Sequence, residues 1–94
     1  MKLRYTPRAR TDIAEIHDYI EQENPQAARR VVAIIREAAE ALPQNSLVGR
    51  AGRVAGTREL AVGRFPFVLA YRVDANEVQI LSVIHTSRMW PESL

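Results

Sequence analysis

The sequence predicts an α+β fold in which a helical hairpin packs on a mainly antiparallel sheet. Three observations support this: a short alternating segment at the start, two consecutive stretches with helical spacing of apolar residues, and three β-prone stretches in the second half. The chain has 94 residues, of which 47% are hydrophobic and 26% charged, which is ordinary for a globular domain. We therefore predict a single domain over residues 1–94 with the element order β-α-α-β-β-β.

The first half of the chain supplies one strand and both helices. Leu3 and Tyr5 alternate with basic residues, a pattern typical of a short, half-buried strand. Thr6-Pro7 and Asn24-Pro25 each place a side chain that caps a helix N-terminus before a proline in the first helical position. Because the second signal follows the first helix almost at once, we expect an antiparallel helical hairpin, which Pro43 terminates.

The apolar face of the helical hairpin is broader than a two-layer fold needs to cover one sheet and one neighbouring helix. Two interpretations stay open: the whole face is core, or part of it is a groove in which a helix of a partner protein lies. Under the second interpretation, the helical residues that contact the partner are Ile16, Tyr19, Ile20, Val31, Val32 and Ile35.

The second half is predicted to form a long loop and three strands. Residues 43–55 contain one proline and two glycines and show no periodicity, which is typical of a functional or mobile loop. Strands are predicted over 57–62, 67–73 and 78–86, because these stretches alternate or are rich in β-prone residues and turn-forming residues separate them.

Four-residue turns would fix the register of these three strands. Strict alternation along them then puts Val83 and His85 on the face that points away from the helices. Arg72 lies on the same face, but roughly 20 Å separates it from His85, at about 3.3 Å per residue along the strand. These two side chains are therefore not expected to share a catalytic centre. The pairs predicted at the two turns are Val62 with Phe67 and Val73 with Val78.

Residue types narrow the range of functions. The chain has no cysteine and two histidines, so neither a metal site nor a cofactor is predicted. Twelve of the 13 basic residues are arginine, and the segment 49–72 holds five arginines against one glutamate. Either GC-rich codon usage explains this arginine content, or the segment binds an acidic partner. With no long apolar run and no signal-peptide core, we predict a cytoplasmic protein that does not contact a membrane.

His85 is the residue for which the sequence allows a catalytic role. Together with the arginine of the turn Arg64-Phe65-Pro66 and with Arg88, it could supply acid–base chemistry and charge stabilisation for cleavage of a phosphodiester. The other interpretation is structural, with the imidazole bonded to a nearby backbone group. Direct, sequence-specific binding of nucleic acid is not expected, because no helix concentrates the arginines and aromatic residues make up only 6%.

Short stretches in a fixed order along nearly the whole chain resemble one family. They are Tyr5-Thr6-Pro7-Arg8-Ala9, Asp12-Ile13, Tyr19-Ile20, Asn24-Pro25, Gly56-Thr57-Arg58-Glu59-Leu60, Phe67-Val68-Leu69-Ala70-Tyr71-Arg72-Val73, Val78-Gln79-Ile80-Leu81-Ser82-Val83-Ile84-His85 and Arg88-Met89-Trp90-Pro91. Together they resemble the ParE branch of the RelE/ParE superfamily of bacterial toxins from type II toxin–antitoxin modules. The predicted element order is also the order of that superfamily's fold.

The resemblance implies a toxin that a cognate, ParD-like antitoxin neutralises by folding over its surface. ParE-type members, associated with plasmid stabilization, inhibit DNA gyrase by binding and have no active site of their own, whereas RelE-type members are ribosome-dependent mRNA endoribonucleases. Many of the nucleases carry an arginine three residues before the tyrosine that corresponds to Tyr71, where this chain has Val68. The tail, with Trp90-Pro91, also lacks the terminal basic-Tyr or His-Tyr arrangement of several nucleases. Both departures favour the gyrase-inhibiting branch, with the nuclease as the alternative.

The resemblance implies no catalytic residue except in the nuclease alternative, for which the candidates are Arg58, His85 and Arg88. We expect a hetero-oligomer with the antitoxin, such as a heterotetramer, and DNA gyrase as the target. Arginines that pair with antitoxin carboxylates are expected beside the apolar helical residues, and they are Arg58, Arg72 and Arg88. Residues expected to contact the target are Arg64, His85, Met89 and Trp90.

Overall fold

The computed structural model describes residues 1–87, and within them the elements follow the predicted order with one short strand added. Arg88, Met89 and Trp90, which were assigned to partner contacts, lie outside the described residues. The elements are β1 (Lys2–Tyr5), α1 (Pro7–Glu21), α2 (Pro25–Ala41), a 3₁₀ turn (Leu42–Gln44), β2 (Arg50–Ala51), β3 (Arg58–Ala61), β4 (Phe67–Asp74) and β5 (Glu77–His85).

Both helices begin where the sequence predicts. The Thr6 hydroxyl accepts a hydrogen bond from the backbone N–H of Ala9 at 3.2 Å, and the Asn24 side chain accepts one from Ala27 at 3.1 Å. A proline occupies the first turn of each helix, where its missing N–H removes no intrahelical bond. Neither helix within residues 1–87 combines the length and hydropathy needed to cross a bilayer.

The sheet has the strand order β1-β5-β4-β3-β2, and β1 runs parallel to β5 while the other neighbours are antiparallel. The predicted α+β fold with a mainly antiparallel sheet is confirmed. The helical hairpin follows β1 directly in the sequence. The strand that pairs with β1 is β5, the last described strand. The core between the layers contains Ile13 and Ile16 of α1, Ile35 of α2, and Leu69 and Tyr71 of β4.

A β-bulge interrupts the pairing of β4 with β5. Tyr71 lies opposite Ile80, whereas the preceding Ala70 lies opposite Ser82, so Leu81 is an extra residue in β5. The Thr6 hydroxyl donates to the carbonyl oxygens of both Ile80 and Leu81, at 2.9 and 3.0 Å, and so holds the bulge against the start of α1. The pairs predicted at the turns are both present: Val62 with Phe67 and Val73 with Val78.

The bulge overturns the predicted facing of the second half of β5. Val83 lies opposite Leu69 and belongs to the core cluster, and His85 lies opposite Phe67. Both residues were expected on the face away from the helices, and that expectation is wrong. The strict alternation that placed them there fails because one extra residue shifts every later side chain to the other face. The structure also closes the second turn with two residues, Ala75 and Asn76, instead of four.

Asp12 of α1 accepts hydrogen bonds from the unpaired edge of β5. The pairing with β1 ends at Tyr5 and Ile80, so the later residues of β5 have no parallel neighbour. The Asp12 carboxylate accepts hydrogen bonds from the backbone N–H of Val83 at 2.9 Å and from the hydroxyl of Ser82. A helix side chain thus replaces a strand along this edge.

Candidate functional site

A cleft of about 490 Å³ opens between the helical hairpin and the turn that joins β3 to β4. It lies beside the last turns of α1 and the first turns of α2, where the hairpin reaches the end of the sheet. Most of its lining is apolar, which is typical of a site that receives an apolar side chain of a ligand or partner. The lining residues are Ile16, Tyr19, Ile20, Val31, Phe65, Pro66, Phe67, His85 and Ser87.

Residues of α1 and α2 at helical spacing form one wall of the cleft. Ile16 and Ile20 stand one turn apart on α1, and Val31 faces them from the antiparallel α2. Ile16 and Val31 are buried, whereas Ile20 is partly exposed, so the wall continues the core outward. Phe65 and Pro66 form the opposite lip, in the turn before β4.

Tyr19 stands at the mouth of the cleft with 71% of its surface exposed. An exposed tyrosine beside an apolar depression is the residue type that most often dominates protein–protein binding energy, because it buries a large area at little entropic cost. Tyr19 is not part of the hydrophobic core, so packing within the chain does not account for a large aromatic side chain at this position.

His85 closes the floor of the cleft, and its ring is held by contacts with Phe67 and Ser87. Its ring meets Phe67 edge to face, with the ring centroids 5.4 Å apart. Its Nδ1 atom accepts a hydrogen bond from the backbone N–H of Ser87 at 3.1 Å and lies 2.7 Å from the Ser87 hydroxyl. Since a backbone N–H can only donate, Nδ1 is the acceptor in this bond, which leaves Nε2 as the nitrogen that carries the ring hydrogen. The group available to a ligand is therefore an N–H donor.

The structure brings together four of the apolar residues assigned to partner binding and one assigned to the target. Val32 packs half-buried against the core instead of lining the cleft. Ile35 is fully buried, so its assignment to a partner-binding surface is corrected: it belongs to the core. The four that meet His85 in the cleft are Ile16, Tyr19, Ile20 and Val31.

The arginines assigned from the sequence are spread over the surface. Arg64 is exposed in the β3–β4 turn, next to the lip of the cleft. Arg72 is exposed on β4 opposite Gln79, near the other end of β5 from His85. Arg58 donates through Nη1 to the carbonyl oxygens of Gly49 at 2.8 Å and Leu47 at 3.3 Å, so this guanidinium holds the preceding loop.

The loop before β3 is fixed by buried polar contacts. Tyr71 donates its hydroxyl proton to the carbonyl oxygen of Ser46 and accepts from the N–H of Gly49, both at 2.9 Å. Glu59, with 4% of its surface exposed, accepts from the N–H of Arg53 at 2.8 Å and from Arg50 at 3.3 Å. The predicted long loop is therefore anchored to β3 and β4 at several points.

The residues of the nuclease alternative do not converge in the described part of the chain. Arg58 lies level with Tyr71 and Ile80, and His85 lies five residues further along β5. At about 3.3 Å per residue, roughly 15 Å separates their positions along the sheet, before the width of two strands is added. Arg58 and His85 therefore cannot act on one phosphodiester.

One group of exposed side chains on α1 has the spacing of metal ligands. His17, Asp18 and Glu21 bring their ligand atoms within 4.8 Å of one another. The imidazole lies 3.2 Å from the carboxylate of Asp18 and 3.8 Å from that of Glu21. These contacts between neighbours on a helix surface explain the grouping without an ion.

The amino-acid sequence matches, over residues 3–90, the family described as the ParE toxin of the type II toxin-antitoxin system, parDE. The chain belongs to this family. It is 42% identical over 93 residues to the "Putative toxin Y4kP" of Sinorhizobium fredii, a match that covers 99% of this chain and 96% of that relative. It is 36% identical over 85 residues to Toxin RelE2 of Caulobacter vibrioides, covering 90% of this chain and 94% of that relative.

A solved structure supports the same assignment. The chromosomal ParDE TA system from P. aeruginosa superposes with a TM-score of 0.85 at 32% identity, covering 93% of this chain and 97% of that one. The resemblance inferred from the sequence motifs is confirmed, as is the fold it implied. This ParE-family chain is a type II toxin of the ParE/RelE superfamily.

Proposed function

We propose that this toxin inhibits DNA gyrase by binding and that a ParD-like antitoxin neutralises it in the cytoplasm. The observation that carries the proposal is the chemistry of the cleft. Among its described lining residues, Tyr19 and His85 are the ionisable ones, and the rest are apolar except Ser87. Such a surface suits binding of a protein segment better than acid–base cleavage, which needs several charged groups around the reacting atoms.

The residue at one further position also supports gyrase inhibition over cleavage of RNA. Many nucleases of the superfamily carry an arginine at this position. Val68 occupies it here and is buried, with 6% of its surface exposed. A buried valine can neither donate to a phosphate nor stabilise negative charge.

The antitoxin segment is proposed to be an amphipathic helix that seats an apolar side chain in the cleft and packs against Tyr19. A segment that folds on binding pays its ordering cost at that moment, and burial of the apolar wall offsets this cost. Carboxylates of the segment would pair with exposed arginines such as Arg72. We expect the complex to be a hetero-oligomer such as a heterotetramer, which light scattering of the co-purified complex would measure.

Neutralisation would follow from shared use of the cleft. His85 lies on the cleft floor and Arg64 lies beside its lip, so a helix that fills the cleft would cover both residues proposed to contact gyrase. Antitoxin and gyrase would then compete for one surface.

Gyrase supercoiling and DNA-cleavage assays with the purified full chain test the target. We expect loss of supercoiling and accumulation of cleaved DNA, with at least about tenfold weaker inhibition for Arg64→Ala, which removes a charged contact. Arg72→Ala, which removes another exposed arginine, far from the cleft, serves as the matched control. Unchanged gyrase activity at micromolar toxin would reject the proposed target.

The role of the cleft in antitoxin binding is tested by truncating its exposed tyrosine. Tyr19→Ala is expected to weaken binding of the antitoxin by about thirtyfold, the loss of about 2 kcal/mol that is typical of a dominant interface residue. Leu47→Ala truncates another exposed apolar side chain, outside the cleft, and should leave the affinity unchanged. Isothermal titration that gives equal affinities for the two variants would contradict the proposed binding mode.

The alternative function is ribosome-dependent cleavage of mRNA, and the position of His85 within a cleft is what favours it. The name of the relative Toxin RelE2 points in the same direction. His85→Phe keeps the ring beside Phe67 but removes both nitrogens, so it separates packing from acid–base chemistry. Cleaved transcripts on translating ribosomes with the wild type, and none with His85→Phe, would replace gyrase inhibition by this alternative.

A further inference from the structure

A second cavity, of about 280 Å³, lies at the opposite end of the helical hairpin from the cleft. Its walls come from the end of β1, the first half of α1 and the second half of α2, and it shares no lining residue with the cleft. The lining residues are Tyr5, Arg10, Ile13 and Arg36. Two guanidinium groups and one phenol therefore surround a depression with one apolar side chain.

The Tyr5 hydroxyl is a buried polar group that lacks a hydrogen-bond partner in the described part of the chain. Buried hydroxyls are normally paired, because an unpaired one loses its bonds to water and gains none in return. Burial raises the pKa of Tyr5, the nearby Glu40 raises it further, and Arg36 opposes the rise. The phenol therefore keeps its proton at neutral pH and offers an unused donor.

The two arginines are also unused within residues 1–87. Both are exposed, and neither Arg10 nor Arg36 makes a hydrogen bond or ion pair there. Glu40, the acidic side chain closest in sequence to Arg36 on the same helix face, is not within ion-pair distance of it. The two arginines carry two positive charges and Glu40 carries one negative charge. Their sum attracts an anion to the cavity, where the Tyr5 hydroxyl can donate a hydrogen bond.

We propose that this second cavity binds an oxyanion, a carboxylate or a phosphate group. Arginine forks match the oxygens of both anions, and a neutral phenol adds one donated hydrogen bond. The oxyanion could belong to an acidic side chain of a bound partner protein or to a free phosphate. The site would complete the hydrogen bonding of Tyr5 in either case.

Titration of the full chain with inorganic phosphate at constant ionic strength tests the proposal without any partner. We expect saturable shifts of the amide NMR signals of Tyr5, Arg10 and Arg36. Arg36→Gln is expected to raise the dissociation constant about tenfold, because it removes a charged guanidinium. Tyr5→Phe is expected to raise it about fivefold, because it removes one neutral hydroxyl donor. Arg29→Gln makes the same charge change on the same face of α2, two turns away, and should leave the dissociation constant unchanged. Shifts that fail to saturate, or that respond equally to Arg29→Gln and Arg36→Gln, would overturn the proposal.

The source of the oxyanion is identified in the toxin–antitoxin complex. If bound antitoxin abolishes the phosphate shifts, and Arg36→Gln weakens antitoxin binding more than Arg29→Gln does, a partner carboxylate occupies the cavity. If the complex still binds phosphate with the same dissociation constant, the ligand is a free anion. Because the first titration uses the chain alone, its result does not depend on the proposed function.

Discussion

Replacement of Asp12 by alanine is expected to destabilise the fold more than any other single change at the surface of α1. Its carboxylate is the acceptor for the backbone N–H of Val83 and the hydroxyl of Ser82, both of which are buried. The hydroxyl can turn toward another acceptor, but the backbone N–H has none. An unpaired buried donor costs about 1–3 kcal/mol, and loss of the second, charge-assisted bond adds about 1 kcal/mol.

The expected loss is therefore about 3 kcal/mol. For a domain of this size, that corresponds to a fall in Tm of about 12–24 °C. Urea unfolding followed by far-UV circular dichroism measures the free energy of unfolding directly. Asp12→Asn keeps one acceptor oxygen without its charge and should lose about half as much.

Glu15→Ala is the matched control for this experiment. Glu15 is exposed on the same helix, and its replacement also removes one negative charge. Alanine raises helix propensity at both positions, and more at Asp12, so the propensity difference opposes the expected loss for Asp12→Ala. A free energy of unfolding for Asp12→Ala within about 0.5 kcal/mol of that for Glu15→Ala, the usual range for surface changes, would refute the role given to Asp12.

Three further predictions concern the anchored loop and the second cavity. Gly49→Ala would place a Cβ 2.5 Å from the Tyr71 hydroxyl oxygen, so we expect a loss of about 2 kcal/mol in urea unfolding. Glu59→Gln removes the charged acceptor of the Arg53 N–H and should cost about 1–3 kcal/mol, with faster hydrogen exchange at that amide as its signature. The pKa of Tyr5 is raised above 10.0, so the wild type should lose stability as the pH rises above 10.0, where the unfolded chain ionises first. Tyr5→Phe should lack this alkaline loss, and equal pH profiles in urea unfolding from pH 7 to 11 would contradict the buried position of the hydroxyl.

Local signals were sufficient to predict the helical hairpin and the positions of the two strand turns, although not the length of the second turn. Thr6 and Asn24 act on residues three positions later, so their role can be read from adjacent letters. The bulge could not be read in this way. No glycine marks Leu81, and the hydroxyl that binds the bulge belongs to Thr6, which is distant in sequence.

The same distinction applies to the site. The breadth of the apolar helix face identified Ile16, Tyr19 and Val31, because helical spacing alone fixes which side chains share a face. The position of His85 in the cleft depends on the β5 bulge, and a period-two pattern cannot detect a shift of one residue. The second cavity was also missed, since Tyr5 and Arg36 meet only when three elements pack together.

The pairing of β1 with β5 has a consequence for the order in which the sheet forms during synthesis of the chain. Leu3 lies opposite Val78, so β1 is synthesised about 75 residues before the strand with which it pairs. Contacts of such long range form late in folding, after the helices and strands between them have been made. His85 emerges later still. A chain that lacks β5 therefore has neither a partner strand for β1 nor the side chain of His85 that closes the cleft.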